Sequence, residues 1–250
     1  EVRILTRTTV FGSFDDGVYG AVERVNDHLP QPPAFEPRQR AWRIAARRCV
    51  LAAGAIERPL VFGDNDRPGV MLASAVRTYV NRYAVAPGRQ AVVFTDNDDG
   101  WSTARDLLAA EVPVAAVVDS RDEPTVRRLA LALPRVEAIA GEVVRALGGR
   151  SVRAVEVMSH KGTLRRFDCD LVAVSGGWTP TLHLSSHRGH RPRWDESRQV
   201  FVPGALPPGM RVVGAANGEF TLREALQAGQ RAGLEAATET GWRGLPAQAG

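Results

Sequence analysis

The stretch QAVVFTDNDDGWSTARDLLAAEVPVAAVVDS, residues 90–120, decides the fold of this 250-residue chain. It starts as an apolar run typical of a buried strand, passes through a polar loop into a segment with helical spacing from Trp101 to Glu111, and ends in a second apolar run. A strand, a crossover helix and another buried strand predict a βαβ unit with parallel strands. We therefore predict an α/β fold that contains a Rossmann-like unit.

The loop TDNDDG between the first strand and the helix lacks most of the glycines of a dinucleotide-binding turn. Those glycines let the backbone approach a pyrophosphate, and an acidic residue about 20 residues further on binds a ribose. Asp119 fits that spacing, but Asp96, Asp98 and Asp99 would repel phosphates. We interpret the loop as a helix start capped by Asp98 or Asp99, in a unit that does not hold a dinucleotide. A calcium loop is disfavoured because Thr95 replaces its first aspartate.

The composition is that of a globular protein, with 44% hydrophobic and 24% charged residues. Basic residues alternate with acidic ones at a formal net charge of +4, which disfavours the clustered basic surface of a nucleic-acid-binding protein. No apolar run reaches the roughly 20 residues that span a bilayer, and no apolar signal segment opens the chain. We expect a cytoplasmic protein that binds neither nucleic acid nor membranes.

Cysteine and histidine patterns predict neither a redox nor a metal site. Cys49 and Cys169 flank strand-like runs and do not form a CxxC pair, so we interpret them as small buried side chains. His183, His187 and His190 lie in a polar loop without a carboxylate or thiolate at ligand spacing, so we expect solvated histidines. The sequence identifies no catalytic residue.

Three strand endings indicate a ligand site. VLAAGAIERP at 50–59 and VAVSGGWTP at 172–180 each join a buried strand to small residues, and glycine there lets the chain turn sharply beneath a ligand. In VVGAANGEFTLREALQAG at 212–229, Asn217 ends a strand, and Thr221 with Glu224 predicts a capping box. A polar strand end beside a helix N-terminus suits an anion or a hydroxyl, unless Asn217 only closes a turn. The candidate cofactor-binding residues are Ala53, Gly54, Ala55, Arg58, Gly176, Gly177, Gly214, Ala216, Asn217 and Thr221.

With these endings, the chain resembles flavoproteins that have two dinucleotide-binding domains, the second inserted into the first. TRTTVFGSFDDGVYGAVERV, ERPLVFGDNDRPGVMLASAVRTYVNRY, VSGGWTPTLHL and GAANGEFTLREAL are similar to the α subunits of heterotetrameric sarcosine oxidases. The resemblance covers nearly the whole chain. It implies the oxidative demethylation of an N-methyl amino acid by a flavin-dependent complex with β, γ and δ subunits. Opine oxidase and hydrogen cyanide synthase subunits are near alternatives, and a structural assembly domain without a cofactor is another.

The resemblance also implies a domain division and a cofactor. Residues 1–66 and 182–250 would form a split dinucleotide-binding domain, with 67–181 inserted as the Rossmann-like domain. We expect NAD, or otherwise FAD, in the split domain of the full-length subunit. FMN and zinc, if present, would belong to parts of the complex outside this chain.

Two departures from the family pattern affect this expectation. Ala53 replaces a threonine and Asn217 replaces an aspartate that usually holds the cofactor's sugar chain. The glycine-rich first strand and turn would precede Glu1, and the folate-binding region would follow the chain. We therefore expect a middle segment of such a subunit that is inactive in isolation.

Overall fold

The computed structural model describes residues 2–242 of the chain, which form two compact units. Unit 1 contains the described residues up to Ile56 and those from Thr179 onward, and unit 2 is Glu57–Trp178. The sequence predicted domain boundaries after residues 66 and 181, which lie further along the chain than the boundaries of these units after Ile56 and Trp178. Residues 1 and 243–250 of the predicted split domain lie outside the described residues.

The chain forms short strands and five α-helices within residues 2–242. The strands are β1 Thr8–Ser13, β2 Val18–Arg24, β3 Gln39–Ala45, β4 Cys49–Leu51, β5 Ala55–Glu57, β6 Val70–Leu72, β7 Ala91–Thr95, β8 Val114–Asp119, β9 Glu137–Gly148, β10 Val152–Ser159, β11 Leu164–Asp168, β12 Leu171–Ser175, β13 Trp178–Pro180, β14 Arg193–Asp195, β15 Val200–Val202 and β16 Met210–Val212. The helices are α1 Ala73–Tyr83, α2 Asp98–Ala109, α3 Glu123–Ala130, α4 His183–Ser186 and α5 Leu222–Glu239. Among these helices, none is long and apolar enough to cross a lipid bilayer.

Unit 2 contains a seven-stranded sheet in the order β11-β10-β9-β8-β7-β12-β6. Strands β9, β8, β7, β12 and β6 pair in parallel, and β10 and β11 continue the sheet as an antiparallel extension. The predicted βαβ unit is β7-α2-β8, in which Thr95 lies opposite Asp119 at the carboxyl ends of the two strands. The predicted Rossmann-like unit is confirmed in this sheet.

Both faces of strand β7 are buried, which explains its unbroken apolar sequence. Val92 and Phe94 pack into a core with residues of β9–β12, whereas Ala91 and Val93 pack against apolar side chains of the helices α1, α2 and α3. Parallel sheets are normally covered on both faces in this way, so alternation of polar and apolar residues is lost.

The segment after Pro68 differs from its prediction. The sequence has Val70, Ala73, Val76, Val80 and Tyr83 at helical spacing, which predicts one helix from Pro68 that Pro87-Gly88 stops. In the structure, Val70–Leu72 instead forms the edge strand β6, which pairs in parallel with β12, and α1 begins only at Ala73. Helix α1 ends at Tyr83, before the proline and glycine that were expected to stop it, because Ala84 adopts a left-handed conformation with φ 52°.

Unit 1 contains several small sheets. Strands β1, β2 and β3 form an antiparallel sheet, β14 pairs with β15, and β4 pairs in parallel with β16. The pairing places Met210 opposite Cys49 and Val212 opposite Leu51. The strand endings of two separate chain segments, around Gly54 and around Gly214, therefore follow neighbouring strands of one sheet.

Candidate functional site

The ends of β4 and β16 form one edge of the parallel pair in unit 1. The pairing continues past the strands, because the Val213 amide donates to the Leu51 carbonyl at 3.0 Å. Gly54 and Gly214 follow on the two segments, with φ +72° and +68°, in the left-handed region that favours glycine. Ligands of open α/β folds bind outside the carboxyl ends of parallel strands, so this edge is the natural candidate site.

Gly54 faces open space on the side where a side chain would point. A side-chain Cβ built on this glycine would have no heavy atom within 4 Å, so backbone conformation and not packing requires glycine. Its carbonyl accepts a hydrogen bond from the Thr181 amide at 3.0 Å. The neighbouring Ala53 is exposed and Ala55 is half-buried. The edge therefore leaves room for a ligand close to the backbone.

A single 3₁₀ turn, Gly214–Asn217, follows β16. Within this turn, Ala216 is fully buried and the Asn217 side chain is exposed. The carboxylate of Glu219 folds back onto this turn, where it accepts from the Gly214 amide at 2.7 Å and from Asn217 Nδ2 at 3.3 Å. Sequence reasoning missed Glu219, although it lies only two residues beyond the predicted Asn217.

The capping box at the start of α5 is confirmed. Thr221 Oγ1 accepts from the Glu224 amide at 3.2 Å, and the Glu224 carboxylate accepts from the Thr221 amide at 3.1 Å. The hydrogen bonds from Thr221 lower the pKa of Glu224. Thr221 is thus engaged in a helix cap.

The other three candidate residues lie together in unit 2. Arg58 pairs with the glycines after β12: the Gly176 amide donates to the Arg58 carbonyl at 2.8 Å, the Arg58 amide donates to the Gly177 carbonyl at 2.8 Å, and Arg58 Nε donates to the Gly176 carbonyl at 2.9 Å. A Cβ at Gly176 would lie 2.9 Å from the Arg58 carbonyl oxygen, and Gly177 has φ +79°. Close packing and backbone conformation therefore account for both glycines.

The polar loop after β7 is organised by Asn97, so the predicted cap by Asp98 or Asp99 is wrong. Asn97 has an extended backbone and precedes the first helical residue, and its Oδ1 accepts from the Asp99 amide at 2.9 Å. Asp98 and Asp99 already belong to the first turn, where their charges complement the helix dipole. Gly100 is required by packing, because a Cβ there would lie 2.3 Å from Thr95 Cβ.

Asp119 at the end of β8 is fully buried and has its partners within unit 2. Its carboxylate accepts from Trp101 Nε1 at 2.7 Å, from Arg121 Nε at 3.0 Å and from Arg121 Nη2 at 2.8 Å. Arg121 also pairs with Asp98 at 2.7 Å, and Trp178 Nε1 donates to Asp99 at 2.5 Å. The acidic groups that a ribose or a metal ion would need are therefore already used by side chains of the same unit.

Both cysteines and one of the three loop histidines, His187, have structural contacts. Cys49 is half-buried and Cys169 buried, both as free thiols, and burial raises the pKa of Cys169 to about 12. His187 Nδ1 lies 2.8 Å from the Ser13 carbonyl oxygen and 3.1 Å from its amide, so this histidine is tied to β1 and not simply solvated as expected. In the described part of the chain, no three His, Cys, Asp or Glu side chains are grouped to hold a metal ion.

The fold is that of FAD/NAD(P)-binding oxidoreductases, as the sequence predicted. L-proline dehydrogenase from P. horikoshii is similar over 96% of this chain and 42% of its own, with a TM-score of 0.66 at 21% identity. A NAD-dependent persulfide reductase from A. fulgidus is similar over 95% of this chain and 45% of its own, with a TM-score of 0.62 at 14% identity. At these identities the likeness defines the fold alone. No protein-family model matches the chain.

The chain is similar over most of its length to sarcosine oxidase alpha subunits, and the resemblance found in its sequence is confirmed. It is 47% identical over 216 residues to that subunit of Rhizobium meliloti (strain 1021), which covers 86% of this chain and 21% of the relative. The subunit of Corynebacterium sp. (strain P-1) is 41% identical over 251 residues, covering 97% of this chain and 26% of the relative. The chain therefore spans only about a quarter of the length of these relatives.

Proposed function

We propose that this chain is the dinucleotide-binding part of the alpha subunit of a sarcosine oxidase-like complex. The complex would oxidatively demethylate an N-methyl amino acid, and β, γ and δ subunits would be the partners of this chain. The proposal rests on the similarity to these alpha subunits and on one structural observation. Two parallel strands of unit 1 end side by side at left-handed glycines, beside open space.

The exposed backbone at this edge of unit 1 supports the proposal of a dinucleotide site. Gly54 presents backbone without a side chain, and the space around it is free within 4 Å of a Cβ position. We propose NAD before FAD as the ligand, held by Ala53, Gly54 and Ala55 on one segment and by the turn Gly214–Asn217 on the other. The nicotinamide or flavin ring, when bound, supplies the redox chemistry. The residues of this chain bind and orient it, and FMN and zinc would belong to other parts of the complex.

Unit 2 has a structural role in this proposal. The loop after β7 is capped by Asn97, and Asp119 is held by Trp101 and Arg121, so the groups that would contact a phosphate and a ribose are engaged. The negative charge of the loop carboxylates also disfavours a dinucleotide in unit 2, because it repels phosphate. Arg58, Gly176 and Gly177 would then support the strand ends of unit 2 and not the cofactor.

The experiment is calorimetric titration of the full-length protein with NAD and FAD, using two matched glycine variants. Gly54 and Gly162 both have positive φ, +72° and +79°, and both lack atoms within 4 Å of a built Cβ. Gly54→Ala and Gly162→Ala should therefore cost similar stability, about 1–2 kcal/mol for a left-handed alanine. Only Gly54→Ala should also weaken dinucleotide binding, by about tenfold, because its methyl group would enter the space proposed for the ligand.

Two results would contradict the proposal. Absence of NAD and FAD binding by the wild-type full-length protein would favour a structural assembly domain. Equal binding by both glycine variants would place the ligand away from this edge. Assays with sarcosine and with opines then distinguish the proposed substrate from that of related opine oxidases.

A further inference from the structure

The turn after β16 already holds a carboxylate. Glu219 Oε2 accepts from the Gly214 amide at 2.7 Å, Oε1 accepts from Asn217 Nδ2 at 3.3 Å, and the Glu219 amide donates to the Gly214 carbonyl at 3.2 Å. Hydrogen bonds of both the backbone and the side chain of Glu219 therefore stabilise this turn. Two donors that an anionic ligand could use at this strand end, the Gly214 amide and Asn217 Nδ2, are engaged by an anion of the protein.

The charge of this carboxylate is not neutralised by a basic side chain. Within residues 2–242, Glu219 has no ion pair within 4 Å, and Arg198 and Arg211 pair with other carboxylates. Arg198 pairs with Asp195 at 2.9 Å, and its Nε donates to the Gly218 carbonyl at 2.9 Å. Arg211 pairs with carboxylates of α5. Glu219 thus places a half-buried negative charge at the candidate site.

A carboxylate in this position selects one kind of ligand group. An ionised carboxylate has about four acceptor positions, and two are used by Gly214 and Asn217, so acceptor positions remain for further donors. Hydroxyl groups can donate to them, whereas phosphate oxygens only accept and carry like charge. The site is therefore built for a hydroxyl-bearing part of a ligand and against its phosphates.

We infer that Glu219 binds a sugar hydroxyl of the dinucleotide and that Asn217 orients the Glu219 carboxylate. This inference rests on the proposed function, because it takes the dinucleotide at the edge formed by β4 and β16. The pyrophosphate would then lie away from the Gly214–Asn217 turn.

The test compares Glu219→Gln with wild type in the full-length protein, using NAD, FAD and inorganic pyrophosphate as calorimetric probes. Glutamine keeps an oxygen acceptor for the Gly214 amide, so the turn is retained, and the thermal unfolding midpoint verifies this. We expect the dinucleotide that binds wild type to bind the variant about tenfold or more weakly, since a hydrogen bond to a charged group is lost. Pyrophosphate affinity should be unchanged or increased.

Two further variants complete the design. Glu142→Gln removes the same charge from an exposed position on β9 of unit 2 and should leave all three affinities unchanged. Asn217→Ala removes the hydrogen bond that orients the Glu219 carboxylate but keeps the carboxylate itself. It should weaken dinucleotide binding severalfold, again without weakening pyrophosphate binding. It provides a second measurement if Glu219→Gln lowers the unfolding midpoint.

The outcomes separate this inference from the proposed function. If wild type binds neither NAD nor FAD, the proposed function fails. If wild type binds one of them and Glu219→Gln binds it within about twofold of wild type, only the role of Glu219 is refuted. Equal weakening of the dinucleotide and pyrophosphate would also refute it, because that result would place the phosphates at the turn.

Discussion

Replacing Asp119 by asparagine tests whether unit 2 depends on its internal polar network. The wild-type carboxylate is fully buried and receives N–H donors of Trp101 and Arg121 on both oxygens. Asparagine has the same shape but only one acceptor oxygen, so its amide group would face a donor. The substitution also leaves Arg121 without its buried counter-ion, although Arg121 keeps Asp98 and is 27% exposed.

The structure sets the expected magnitude. An unsatisfied buried donor costs about 1–3 kcal/mol, and removing one partner of a buried ion pair costs about 3–5 kcal/mol when both are desolvated. Because Arg121 is partly solvated and retains a second carboxylate, we expect Asp119→Asn to destabilise the chain by about 2–4 kcal/mol. For a protein of this size the unfolding midpoint should fall by roughly 5–15 °C.

The assay is urea and thermal unfolding followed by tryptophan fluorescence, to which Trp101 beside the substitution contributes as one of five tryptophans. Asp168→Asn is the control, because Asp168 is 77% exposed and pairs with Arg166 on the surface, and it should change stability by less than about 0.5 kcal/mol. An Asp119→Asn protein within about 0.5 kcal/mol of wild type would refute the view that this network stabilises unit 2.

Gly100→Ala should destabilise the chain although alanine favours helices, because the new Cβ would lie 2.3 Å from Thr95 Cβ; equilibrium urea unfolding measures the loss, and a more stable variant would contradict the packing argument. The hydrogen bond from Lys161, with one from a neighbouring arginine, lowers the pKa of Glu123 from 4.5 to about 2. This group therefore stabilises the fold above about pH 4.5 and loses its contribution as the pH falls towards 2, so Glu123→Gln should flatten the stability profile in that acid range when unfolding is followed against pH. Thr221→Ala removes one side of the capping box and should cost about 1 kcal/mol in urea unfolding, whereas an unchanged midpoint would show that α5 does not need this cap.

The sequence alone predicted the parts of the molecule that depend on local pattern. The unbroken apolar runs of β7 and β8 and the helical spacing between them specified the βαβ unit, because a strand buried on both faces cannot alternate. The capping box at Thr221 could be predicted from local pattern as well, since its partners are three residues apart. The resemblance to sarcosine oxidase alpha subunits was also recognisable, because it lies in long continuous segments of sequence and depends on no tertiary contact.

Only the tertiary structure decided how distant residues share their hydrogen bonds. Val70–Leu72 has helical spacing yet forms a strand, because β12, about a hundred residues later, offers it a parallel edge. Asp119 fits a ribose-binding position by spacing, but the folded chain brings Trp101 and Arg121 onto its carboxylate. Glu219 carried no recognisable motif, and its contact with the Gly214 amide lies in the turn that follows β16, the strand paired with the distant β4. Residue types and local spacing fix which groups are available, and long-range pairing determines which of them remain free for a ligand.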